Sequence, residues 1–174
     1  MIRLNIYNIN NEYIQYLSQF DLNIDFNAKN NSKHMRPYIG IVLEINDYYY
    51  FAPLKSPKTK FSSGMKKHID IVLIEDGKKG VINLNDMIPI AKYNVNVLKK
   101  LEYNINNTDT IEDIKYKNLI QDQIEWCNKI ENKTIILKKA KRLYYLYEKL
   151  PKYNKLKVRC CNYKLLEKKA IDYK

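Results

Sequence analysis

The stretch Arg36-Pro-Tyr-Ile-Gly-Ile-Val-Leu-Glu-Ile-Asn-Asp-Tyr-Tyr-Tyr-Phe-Ala-Pro-Leu-Lys-Ser-Pro-Lys-Thr-Lys60 decides the fold of this 174-residue chain. It contains two runs of β-branched and aromatic residues, at 38–45 and 48–52, separated by Asn46-Asp47. Such runs on both sides of a two-residue Asn/Asp turn are typical of a β-hairpin. The second strand is predicted to end near Pro53, because proline cannot donate a hydrogen bond to a central ladder.

A small polar loop follows this hairpin, and prolines at 53 and 57 limit its backbone freedom. A rigid loop that carries hydroxyl and ammonium groups can hold a phosphate. An ordinary solvated loop is the alternative, since surface loops are often polar without any catalytic reason. The polar side chains of the loop are those of Lys55, Ser56, Lys58, Thr59 and Lys60.

The composition indicates one folded domain over residues 1–174, with 45% hydrophobic residues. No apolar run approaches the length of a membrane-spanning helix, and the N-terminus does not resemble a secretory signal. The cysteines are Cys127, Cys160 and Cys161, an odd number with two adjacent, which fits a reducing cytoplasm better than a disulfide framework.

The positive charge is concentrated in the second half of the chain. The net charge is +12, and residues 91–174 hold 20 Lys/Arg against 10 Asp/Glu, which is 20 − 10 = +10. Such a field attracts polyanions. Sixteen tyrosines accompany the lysines, and their rings can stack on unpaired bases. This combination favours single-stranded RNA as the partner.

The pattern along the chain predicts an α+β fold. Strands are expected at 2–7, 38–45, 48–52, 69–74, 80–84 and 90–91, and their short connections require antiparallel pairing. Asn85-Asp86-Met87 is expected to form a short helical turn, and 21–35 a long loop. Helix N-caps are predicted at Asn11, at a capping box of Asp109 and Glu112, at Thr134 and at Asn162.

The helix predicted after Thr134 is amphipathic and has a basic face. A solvated face, a surface for RNA and a membrane-surface helix are the three interpretations of such a face. The basic residues of this face are Lys138, Lys139, Lys141, Arg142 and Lys149.

The sequence offers little for metal or cofactor chemistry. His34 and His68 belong to no spaced ligand set, and Cys127 lies on an apolar helix face, where a core role is expected. RNA cleavage by its own 2′-hydroxyl needs neither a metal nor a cofactor. It requires in-line positioning and stabilisation of phosphorane charge, for which one well-placed donor contributes ~3 kcal/mol.

Several motifs resemble the ToxN/AbiQ family of type III toxins. They are Tyr38-Ile-Gly-Ile-Val-Leu-Glu-Ile45, Phe51-Ala-Pro-Leu-Lys-Ser-Pro-Lys58, Glu12-Tyr-Ile-Gln-Tyr-Leu17, Gly80-Val-Ile-Asn-Leu-Asn-Asp-Met-Ile-Pro-Ile90 and Cys161-Asn-Tyr-Lys-Leu-Leu-Glu-Lys168. The resemblance implies a metal-independent endoribonuclease that cuts A-rich RNA and leaves 2′,3′-cyclic phosphate and 5′-hydroxyl ends. It implies a strongly twisted antiparallel sheet flanked by helices, similar to the Kid/MazF toxins.

The resemblance also implies partners. A small repetitive antitoxin RNA with a pseudoknot-like fold would alternate with the toxin in a closed ring, often with three copies of each. The substrate would be cellular or phage mRNA, and the role plasmid maintenance or abortive infection. A non-catalytic basic RNA-binding protein is the alternative function.

By the same resemblance, the serine and lysine of the family's active-site motif fall on Ser56 and Lys58. A basic residue before the hairpin falls on Arg36, with Lys33 as a competing alignment. Lys55 stands where the family often has a hydroxyl. The expected catalytic residues are therefore Ser56, Lys58 and Arg36, and the expected RNA contacts are Tyr13, Lys33, Lys55, Thr59, Lys60, Lys138, Lys139 and Arg142.

Overall fold

The computed structural model describes residues 3–24, 35–59 and 63–173. Two residues with an expected RNA contact, Lys33 and Lys60, lie outside these ranges, as does most of the predicted loop at 21–35.

Seven strands form one sheet whose strands pair antiparallel. They are β1 (Asn5–Ile9), β2 (Tyr38–Ile45), β3 (Tyr48–Lys55), β4 (Ile71–Leu73), β5 (Val81–Asn83), β6 (Ile88–Ala91) and β7 (Leu98–Lys100). The order is β4-β5-β3-β2-β1-β7, and β6 also pairs with β3. The α+β class and the antiparallel sheet are confirmed. The sheet is open between β4 and β7, so the expected barrel is not confirmed.

The predicted hairpin is confirmed as β2 and β3. Ile45 pairs with Tyr48 across the Asn46-Asp47 turn, where Asn46 has a positive φ of 49°. The prediction that the second strand ends near Pro53 was wrong, because β3 continues to Lys55. Pro53 lies where the neighbour of β3 changes from β6, which pairs up to Phe51, to β5. Pro53 therefore needs no N–H donor on the side of β3 that faces β5 and β6.

In the described part of the chain, five α-helices accompany the sheet: α1 (Asn11–Ser18), α2 (Ile111–Asn128), α3 (Ile130–Lys149), α4 (Lys155–Arg159) and α5 (Tyr163–Asp172). The cap at Asn162 is confirmed, since its side chain accepts from the Leu165 amide. The other predicted caps were wrong, although α1 does begin at Asn11. Asn10 caps α1, Thr110 and Asp113 form the capping box of α2, and Thr134 lies inside α3.

Most buried apolar residues from β1 through α5 form one large hydrophobic cluster, and Ile71, Leu73 and Val81 form a second, small one. Several tyrosines lie inside the large cluster, and the hydroxyls of Tyr50 and Tyr144 donate to the same Glu167 oxygen, at 2.9 and 2.7 Å. These rings serve packing and have no access to bases. Cys127 is also buried, as predicted, and burial raises the pKa of its thiol to about 12. Within the described ranges, no helix has the length and apolar character needed to cross a membrane.

Candidate active site

The polar loop begins where β3 ends. Lys55 is the last residue of β3 and pairs with Val81 of β5. Ser56, Lys58 and Thr59 follow and are exposed. The structure therefore presents a hydroxyl and an ammonium group to solvent directly beyond a buried strand.

Arg36 lies next to this loop because of the hairpin register. Tyr38 pairs with Pro53, and the Leu54 amide donates to the Pro37 carbonyl at 2.9 Å. Arg36 directly precedes Pro37 and therefore lies at the same end of the hairpin as Lys55, which follows Leu54. Two residues that are far apart in the sequence thus bring their positive charges to one end of the hairpin.

A carboxylate that the sequence analysis did not single out lies beside these cations. Asp86 Oδ2 is 3.4 Å from Lys55 Nζ, and the Asp86 side chain is only 11% exposed. The Asn83 amide donates to the same oxygen at 3.1 Å, and the Asn85 amide donates to Oδ1. Burial raises the pKa of Asp86, while the Asn83 hydrogen bond and the charges of Lys55 and Arg36 partly oppose that rise.

Asp86 ends a short 3₁₀ helix, Leu84–Asp86, which confirms the predicted helical turn in this segment. The sequence signal was the cluster of Asn83, Asn85 and Asp86, at the end of β5 and in the turn that follows it. It was interpreted only as a turn, since nothing local links it to Lys55, about thirty positions earlier in the sequence.

A second ion pair supports this segment from the other side. Arg159 donates to both oxygens of Asp70, at 2.6 and 2.8 Å, and this bond raises the pKa of the guanidinium. The backbone carbonyl of Asp70 accepts hydrogen bonds from the backbone amides of Leu84 and Asn85, at 2.8 and 3.0 Å. The turn that carries Asp86 is therefore anchored through its backbone as well as through its side chains.

The basic helix predicted in the second half is α3, and its lysines differ in their surroundings. Lys138 and Arg142 are exposed, as an RNA-binding role requires. Lys139 is half-buried and donates to the carbonyls of Lys66, His68 and Ile71 at 3.2, 2.8 and 3.0 Å. Burial lowers its pKa. The structure thus gives Lys139 a structural role in place of the expected RNA contact.

Tyr13 is also placed differently from the expectation. Its side chain is 0% exposed, and its hydroxyl donates to the Pro89 carbonyl at 2.7 Å. Burial raises the pKa of that hydroxyl. The expected RNA contact is therefore corrected: Tyr13 belongs to the apolar face of α1 and ties that helix to β6.

The arrangement suits chemistry on a phosphodiester without a cofactor. A hydroxyl (Ser56), two ammonium groups (Lys55 and Lys58) and a guanidinium (Arg36) lie around one end of the hairpin. Groups of this kind can position a phosphate and stabilise negative charge on it. Across the described ranges, no group of three or more His, Cys, Asp or Glu side chains is arranged to hold a metal ion.

Comparison with known proteins identifies the class of protein to which this fold and loop belong. A family model described as "Toxin ToxN, type III toxin-antitoxin system" matches residues 5–170. The chain belongs to this ToxN family.

Individual relatives match over nearly the whole chain. Endoribonuclease ToxN of Bacillus thuringiensis subsp. kurstaki is 30% identical over 172 residues, which cover 95% of this chain and 82% of the relative. A solved structure from work on selective inhibition of a type III toxin by a non-coding RNA pseudoknot has a TM-score of 0.76 and 28% identity, and covers 99% of this chain and 98% of that chain. The structure of AbiQ, a lactococcal anti-phage endoribonuclease, has a TM-score of 0.74 and 27% identity, and it covers 99% of this chain and 98% of that chain.

Proposed function

We propose that the loop from Lys55 to Thr59, together with Arg36, is the active site at which this protein cuts RNA. The protein is an endoribonuclease toxin of a type III toxin–antitoxin system, in line with the relatives described above. The observation that carries the site proposal is the geometry of the hairpin end. Ser56 and Lys58 are exposed there, and Lys55 and Arg36 lie beside them.

In the proposed mechanism the RNA 2′-hydroxyl loses its proton and its oxygen attacks the adjacent phosphorus, and the 5′-oxygen of the next nucleotide leaves and takes up a proton. The products are a 2′,3′-cyclic phosphate and a 5′-hydroxyl. Ser56 donates a hydrogen bond at the scissile phosphate, and Lys58 and Arg36 offset the charge of the phosphorane. Lys55 and Thr59 hold neighbouring phosphates. The same role is proposed for Lys60, which lies outside the described ranges. Each donor of this kind contributes about 3 kcal/mol to the transition state.

The proposed inhibitor is a small repetitive antitoxin RNA with a pseudoknot fold. The exposed side chains of Lys138 and Arg142 supply a basic surface for it. We further propose a closed ring of three toxins and three RNA repeats, kinship with the Kid/MazF toxins, and a role in abortive infection or plasmid maintenance. The large hydrophobic cluster, which joins residues from β1 through α5, supports one toxin domain over residues 1–174.

The test of the activity is incubation of the purified protein with an A-rich RNA in EDTA. Cleavage with cyclic-phosphate ends is expected, and a single 2′-deoxy substitution at the cleaved position should block it. Intact RNA that is nevertheless bound would favour the alternative, a non-catalytic RNA-binding protein. Cleavage that persists at the 2′-deoxy position would contradict the proposed mechanism.

The test of the RNA surface is charge reversal of Lys138 and Arg142 to Glu. Capture of the antitoxin RNA should weaken by about tenfold or more, with a shallower dependence on salt, because fewer phosphate contacts are made. The double change of Lys99 and Lys100 on β7 to Glu is the matched control, since both lysines are exposed but lie on the edge strand of the sheet. Equal effects of the two changes would show that only net charge matters.

A further inference from the structure

Asp86 is a carboxylate in an unusual position for a protein that binds polyanions. Its side chain is 11% exposed, and it lies 3.4 Å from Lys55 at the end of the hairpin that carries the candidate site. A negative charge there opposes the approach of RNA and is costly to bury. The structure nevertheless surrounds it with donors.

The cross-strand register explains what this carboxylate does. Arg36 directly precedes Pro37, whose carbonyl accepts from the Leu54 amide, so Arg36 and Lys55 lie at the same end of the β2–β3 hairpin. Like charges that lie close together at the end of an antiparallel pair repel and destabilise it. Asp86 Oδ2 is 3.4 Å from Lys55 Nζ, and the charges of Lys55 and Arg36 both oppose the rise that burial causes in the pKa of Asp86. It therefore compensates the repulsion between them.

The carboxylate is itself held in place. Asn83 and Lys55 donate to Oδ2, and Asn85 donates to Oδ1. The Asn85 amide also donates to the Arg159 carbonyl at 3.3 Å, and the Asn85 backbone is bonded to Asp70. Donors on both oxygens therefore fix the orientation of the Asp86 carboxylate beside Lys55.

We propose that Asp86 is a positioning residue, which holds Lys55 and Arg36 at the separation and orientation that align the scissile phosphate beside Ser56. This inference rests on the proposed function of the loop. Without the carboxylate, the two cations move apart and bind RNA phosphates in other geometries. Misplacement of a reacting group by about 1 Å can cost ~100-fold in rate.

The test is Asp86→Asn, which keeps the shape and removes the charge. Turnover under saturating RNA should fall by about 10- to 100-fold. The affinity for RNA, measured in a Ser56→Ala background, should be unchanged or tighter because one negative charge is lost. A purely structural role would instead weaken turnover and affinity together. Asp86→Glu keeps the charge and should restore part of the turnover.

A double-mutant cycle with Lys55→Met isolates the interaction. Asp86→Asn should have a much smaller effect once Lys55 is absent, since its influence passes through that ammonium group. Glu44→Gln is the control, because Glu44 forms an ion pair of 2.7 Å with Lys92 far along the hairpin from the loop. It should leave turnover unchanged.

The outcomes separate the inference from the proposed function. Wild-type protein that leaves RNA intact would contradict the function itself. Wild-type cleavage together with full turnover by Asp86→Asn, or with additive effects in the cycle, would overturn only the role of Asp86. If Asp86→Asn does not fold, Lys55→Met is the remaining test, because the Lys55 side chain is 30% exposed and its replacement should be tolerated. Full turnover by Lys55→Met would overturn the proposal.

Discussion

Replacing Lys139 with Met should destabilise the protein, although Lys139 belongs to the basic sequence of α3. Its ammonium group donates to the carbonyls of Lys66, His68 and Ile71 at 3.2, 2.8 and 3.0 Å. A hydrogen bond to a charged group typically contributes about 1.5–3 kcal/mol to the free energy of unfolding. Water can replace part of these bonds at a half-buried site, so we expect a total loss of about 2 kcal/mol.

The assay is thermal and urea unfolding followed by circular dichroism. For a chain of this size, a loss of about 2 kcal/mol corresponds to a decrease in Tm of about 4–8 °C. Lys138→Met is the matched control, because Lys138 precedes it on the same helix and is exposed. It should change the free energy of unfolding by less than about 0.5 kcal/mol. Equal Tm values for the two variants would refute the structural role of Lys139.

Two further substitutions test how the fold supports the candidate site. Gly80→Ala should lower both Tm and RNA cleavage, because Gly80 has φ +101° and a Cβ there would lie 2.0 Å from the Lys55 carbonyl oxygen; wild-type cleavage by a folded variant would contradict this. Asp70→Asn should cost about 1–3 kcal/mol of stability, because it breaks the bidentate bond with Arg159. Asp76→Asn is its control, since Asp76 is 61% exposed, and a similar loss in both would argue against a special role for Asp70.

The hairpin could be predicted because its signal is local. Two strand-forming runs and the Asn46-Asp47 turn lie within one short segment, and the structure pairs them as expected. The start of α2 differs from the predicted one by one residue. Asp109 with Glu112 and Thr110 with Asp113 have the same spacing, so two capping boxes overlap. The structure selects the second, because the Asp109 carboxylate accepts bonds from Lys117 instead.

The candidate site could be predicted only in part. Ser56 and Lys58 belong to one short motif, and both are exposed as expected. Asp86 was missed because its proximity to Lys55 depends on the pairing of β3 with β5. Tyr13 was assigned to RNA although its neighbours on α1 are apolar, and the structure places it in the core with them.

The central claim is that the loop after β3 carries out the cleavage, and Ser56→Ala tests it most directly. The measurement is the single-turnover rate of RNA cleavage by this variant, with Ser18→Ala at the end of α1 as the control. We expect Ser56→Ala to be slower by about 100-fold or more at an unchanged Tm, and to lose toxicity in growing cells. A folded Ser56→Ala variant that cleaves RNA within about twofold of the wild-type rate would contradict the account.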